Sequence, residues 1–146
     1  MGTIYDTCIL INYERLGTEI EELIPSREGE APGVSVVSIA ELLHGAHRAD
    51  GEKRKQERLA FVEKVCRLFT IFDYDTEAAR VFATISSSTA RRGISLGVND
   101  MIIAATALSH GYSVLTLNGK DFKDIEGLSV TILDSDTKQG GVSNHD

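Results

Sequence analysis

Apolar residues in this chain alternate between short β-type runs and stripes at helical spacing. Ile4–Tyr5 is a brief apolar segment ending at Asp6, and Thr7 leads directly into Ile9-Leu10-Ile11, so a strand passes straight into a helix. Ile20, Leu23 and Ile24 recur at helical spacing until Pro25 and the following Ser-Arg-Glu-Gly-Glu-Ala-Pro-Gly stretch break the pattern. Val34–Val37 reads as a second strand. Ser38-Ile-Ala-Glu41, just before Leu42–Leu43, matches a capping box, which predicts a helix running to about Ala49 and closed at Asp50–Gly51. Residues 53–66 carry Leu59, Val62, Val65 and Cys66 on one helical face, and Leu68–Phe72 reads as a third strand. Asp75 or Thr76 can cap a helix bearing Ala78, Ala79, Phe82 and Ile85, ending near Arg92–Gly93. Asn99–Asp100 open the most apolar helix, which stops at His110–Gly111. Tyr112–Leu117 and Ser129–Leu133 give the fourth and fifth strands.

Strands alternating with helices imply a parallel sheet covered on both faces. The expected fold is therefore α/β, a three-layer α/β/α sandwich around a central parallel sheet of about five strands. Residues 1–133 form one domain, of a size that buries a core without disulfides or a structural metal. Residues 134–146 are polar and Gly-rich, with little to pack, and are expected to be a disordered tail.

Composition narrows the setting. Hydrophobic residues make up 42% and charged residues 25%, as in ordinary globular domains, and no apolar run approaches a membrane span. Cys8 and Cys66 lie far apart, giving neither a disulfide framework nor a thiolate zinc site, which fits a reducing cytoplasm. The net charge of −7 argues against broad electrostatic affinity for nucleic acid. Residues 47–67 and the Arg91–Arg92 pair are locally basic; a solvated helix face is the simpler account of each, and a phosphate contact the other.

The candidate chemistry lies in four acids. Asp6, Glu41, Asp100 and Asp121 each sit at a predicted strand end or helix start. Each has a structural alternative: Asp6 and Asp100 suit helix N-termini, Glu41 suits the third position of a capping box, and Asp121 suits a polar loop. Together they gain meaning, because strand ends and following helix starts share one edge of a parallel sheet, where ligands bind. Gathered there, four carboxylates would repel one another unless a cation held them. The set offers only oxygen, which points to a hard ion such as Mg²⁺ or Mn²⁺, suited in turn to phosphate substrates. His44 and His47 lack an H-E-x-x-H pattern, so they read as helix-surface residues and not as zinc ligands. No P-loop, GxGxxG or GxSxG is present, and Cys8 stands where an aspartyl-phosphate phosphatase would carry a second Asp.

Four blocks now form a recognisable set: Ile4-Tyr-Asp-Thr-Cys-Ile-Leu-Ile11, Val37-Ser-Ile-Ala-Glu-Leu-Leu-His-Gly-Ala46, Gly97-Val-Asn-Asp-Met-Ile-Ile-Ala-Ala-Thr-Ala-Leu108 and Thr116-Leu-Asn-Gly-Lys-Asp-Phe122. They resemble, in order, the blocks of PIN-domain ribonucleases, and most closely the VapC-type toxins of type II toxin–antitoxin pairs. The resemblance implies a Mg²⁺- or Mn²⁺-dependent endoribonuclease toxin with Asp6, Glu41, Asp100 and Asp121 as catalytic metal ligands. Thr7, Thr116 and Asn118 resemble the polar residues that position those carboxylates or the attacking water. Cys8 occupies a place usually held by Ser or Asn, a weaker hydrogen-bonding substitute unless it merely fills a gap. The implied partners are an RNA substrate, a VapB-like antitoxin that can set a basic side chain among the acids, and a second copy in a homodimer. A PIN-fold binding module with weakened catalysis is the alternative, supported by Cys8 alone, and a DNA-directed nuclease is a third reading. The sequence names no substrate-binding residue, no RNA target and no preferred cation.

Overall fold

The computed structural model describes residues 2–17, 19–24, 32–133 and 142–145. In chain order its strands are β1 (Thr3–Tyr5), β2 (Gly33–Ser35), β3 (Thr70–Phe72), β4 (Ser113–Thr116), β5 (Val130–Leu133) and β6 (Val142–His145). Its α-helices are α1 (Thr7–Leu16), α2 (Ile20–Leu23), α3 (Val36–His47), α4 (Glu52–Leu68), α5 (Thr76–Arg91) and α6 (Val98–His110), with a 3-10 turn at Gly119–Asp121. The sheet order is β3-β2-β1-β4-β5-β6. The first five strands run parallel, in register through Ile4 with Val114 and Leu115 with Thr131, while β6 adds antiparallel to β5.

Alternation along the strands splits the core in two. Tyr5, Val34 and Leu115 point to one face and pack with Ile9, Leu10, Leu42 and Val65 from α1, α3 and α4. Ile4, Val114 and Val130 point to the other and pack with Ile85 of α5 and Ile103 and Ala104 of α6. The helices therefore cover both faces, giving the expected α/β/α layers. Helix α6 buries Ile103 through Ala107 without interruption, because small alanines let it lie close to the sheet on one side and α5 on the other.

Two expectations change. Helix α3 begins at Val36, not after Ser38: Ser35 is the N-cap, accepting a hydrogen bond from Val37 N–H at 3.2 Å. Ser38 and Glu41 therefore lie inside the helix and form no capping box. The polar C-terminal stretch contains strand β6 at Val142–His145, where backbone pairing with β5 needs no apolar side chains. The remainder of the predicted disordered tail, 134–141 and 146, lies outside the described residues.

Candidate functional site

The site is built where β1 and β4 end. Asp6 follows β1 immediately and caps α1, its Oδ1 accepting Thr7 N–H at 2.8 Å. Its other oxygen, Oδ2, accepts the Thr116 hydroxyl at 2.7 Å and the Cys8 thiol at 3.1 Å. Only 7% of Asp6 is exposed, and three donors compensate its burial. With Oδ2 accepting twice and Oδ1 once, each carboxylate oxygen offering two acceptor sites, the outward capacity of this carboxylate lies on Oδ1.

Thr116, wholly buried at the end of β4, connects Asp6 to the next loop: its hydroxyl oxygen accepts Asn118 N–H at 3.0 Å. Asn118 Nδ2 in turn donates to Asp121 Oδ2 at 2.7 Å, in the 3-10 turn. A continuous set of hydrogen bonds thus runs from the first acid to the last. Glu41 is fixed from the other side of Asp6. Thr7 Oγ1 lies 2.9 Å from Glu41 Oε1 and 2.7 Å from Ser38 Oγ. Thr7 is the donor in both contacts, so its single proton is directed between the Glu41 carboxylate and the Ser38 hydroxyl.

Asp100 sits in the first turn of α6, after the Gly97 cap. Unlike Asp6, its carboxylate has no hydrogen-bond partner among the described residues. Its acidity shows the strain: burial first, then the charges of Asp6, Asp121 and Glu41, push its carboxyl up to about 6. Asp100 is therefore the point where the fields of all three other acids meet. Among the described residues no three acidic, His or Cys side chains close into a ligand set. What the chain provides is an all-oxygen donor set around an uncompensated carboxylate, which suits a hard divalent cation.

Cys8 is more integrated than a gap filler. Besides donating to Asp6, its sulfur accepts Leu117 N–H at 3.4 Å. Burial and the Asp6 charge push the thiol up to about 11, so it stays protonated and able to donate. The sequence reading missed the contribution of Ser38, because its S-x-x-E spacing suggested a cap; the helical i, i+3 relation that puts it beside Glu41 was the usable signal. His44 and His47 are exposed on α3.

Comparison with known proteins places the geometry in context. Residues 3–128 match the family model described as PIN domain. The chain is 42% identical to "Ribonuclease VapC1" of Rickettsia felis, over 92% of this chain and 98% of that protein. It superposes on a structure of VapBC2 from Rickettsia felis bound to a promoter DNA fragment with a TM-score of 0.79, covering 92% of this chain and all of that one, at 21% identity. A second match, at TM-score 0.69 and 29% identity over 88% and 96% of the two chains, is VapBC-5 of Mycobacterium tuberculosis, a member of the VapBC family of toxin–antitoxin systems.

Proposed function

The chain belongs to the PIN-domain family, and from that premise we propose that it is a Mg²⁺- or Mn²⁺-dependent endoribonuclease toxin neutralised by an antitoxin partner. The observation that supports the metal dependence is Asp100, a carboxyl without a hydrogen-bond donor among the described residues, pushed up to about 6 by burial first and then by the charges of Asp6, Asp121 and Glu41. A site that only capped helices would have no reason to gather that repulsion.

In this reading Asp6, Glu41, Asp100 and Asp121 would hold the cation. When bound, it supplies Lewis acidity and neutralises charge at the phosphodiester. The protein's own groups do the positioning. Thr116 and Cys8 fix Asp6, Asn118 fixes Asp121, and Thr7 fixes Glu41 so that its free oxygen can orient and deprotonate the attacking water. Water adds to phosphorus as the bond to the 3′ oxygen breaks, and that oxygen takes up a proton. The products are a 5′-phosphate and a 3′-hydroxyl. Cys8 was the one residue favouring a weakened binding module, and its thiol supplies the donor that a hydroxyl would.

Expression in cells tests this directly. Wild-type protein should arrest growth and generate RNA fragments with 5′-phosphate ends. Asp6→Asn should remove both effects, with cleavage falling at least about 100-fold, since even residues that merely support ligands are worth 10–100-fold. Equal toxicity from Asp6→Asn would overturn the enzymatic reading in favour of protein contacts.

A further inference from the structure

A cavity of about 480 Å³ opens beside the acids, between the 3-10 turn and β5. Leu128, Val130 and Ile132 give it an apolar floor, and the first two are almost wholly buried. Asn118 forms one wall, and the same Asn118 donates to Asp121, so cavity and acidic edge share that residue. Lys120 and Lys123 stand at its rim, both exposed. Neither makes an ion pair or side-chain hydrogen bond among the described residues, in a chain where 22 Asp and Glu outnumber 15 Lys and Arg. Lys64, by contrast, is paired with Glu19, and Arg80 with Glu77.

Two uncommitted ammonium groups next to a carboxylate cluster suit a ligand that carries negative charge at regular intervals. The volume lies in the range of about 300–1,000 Å³ that holds small-molecule-sized groups, enough for one nucleoside and too small for a duplex. An apolar floor takes a base or sugar face, and lysine binds phosphate as a point charge without reading sequence. We propose that this cavity is a nucleotide subsite for single-stranded RNA, in which Lys120 and Lys123 bind a phosphate flanking the bond to be cut. The proposal rests on the ribonuclease reading and adds to it the surface that sets the strand's register. It also explains how a protein of net charge −7 can engage RNA locally.

The test is equilibrium binding of a fluorescently labelled single-stranded oligoribonucleotide, by anisotropy in Ca²⁺ buffer across a salt series. The intactness of the probe is checked afterwards on a gel. Each lost phosphate contact on a single strand should reduce the slope of log K against log salt by about 0.7. Lys120→Ala and Lys123→Ala should each show that reduction and weaker binding, and the double variant about 1.4. Lys53→Ala, on α4 and outside the cavity lining, should match wild type. Wild-type slope and affinity in the double variant, or an equal loss in Lys53→Ala, would overturn the subsite while leaving the ribonuclease reading in place. Failure of the wild type to bind RNA at all would overturn both.

Discussion

Asp100 is the residue on which stability and function pull in opposite directions. Its carboxyl in the folded protein titrates near 6, above the ordinary 3.8, so folding favours its protonated form. The sign follows: without cation this group costs stability at neutral pH, and the cost is relieved as pH falls through about 6 toward 4. Asp100→Asn should therefore raise the melting temperature of cation-free protein at pH 7.5 and abolish cleavage in the same variant; a lower melting temperature would contradict the repulsion. Cys8 gives an independent check at this scale. With the thiol near 11, roughly one molecule in a thousand is thiolate at pH 8, so alkylation by iodoacetamide should be far slower than for a free thiol. Rapid labelling at Cys8, measured by mass spectrometry, would show that Asp6 and burial do not hold the proton as described.

At the level of elements, Asp6, Asp100 and Asp121 owe their places to local stop or start signals, while Glu41 is carried inside α3. β1 ends where Asp6 caps α1, and β4 ends where Thr116 turns inward to meet Asp6. The 3-10 turn holds Asp121 close to β5, and Gly119 permits this: a methyl group there would overlap Ile132. Most of these elements were legible in the sequence, because period-2 runs and helical stripes are strong signals over their lengths. The start of α3 was not. Val34-Ser-Val-Val37 is rich in β-branched residues, which reads as strand, and two serines three residues apart both make acceptable caps. The structure chooses Ser35, which predicts that Ser35→Ala costs about 1 kcal/mol and deprotects the Val37 amide in hydrogen exchange, whereas Ser38→Ala leaves that amide protected. The reverse pattern would restore the capping-box reading. Strand β6 was illegible for a different reason: its pairing is made by backbone, and its residues carry no alternating pattern.

For the whole molecule, the convergence of four acids was readable because parallel sheets collect strand ends on one edge. What could not be read was which acid would be left without a donor. That depends on side-chain contacts across residues 6, 38, 41, 116 and 118, which no one-dimensional spacing encodes. The resulting surface is divided, with an acidic edge and, beside it, two lysines that pair with no carboxylate among the described residues. A cation that binds only the folded protein should stabilise it by about 2.7 kcal/mol at a hundredfold excess over its dissociation constant. Adding Mn²⁺ to wild type should thus raise the melting temperature by several degrees, and Asp100→Asn should lose most of that rise. One titration decides whether the acids work through a metal: cleavage of single-stranded RNA by chelator-treated wild-type protein as Mn²⁺ is added back. Cleavage should be absent before addition, fully restored at saturating Mn²⁺, and at least about 100-fold lower for Asp100→Asn at every concentration. Cleavage that persists in chelator, or that Asp100→Asn retains at wild-type rate, would contradict the metal dependence.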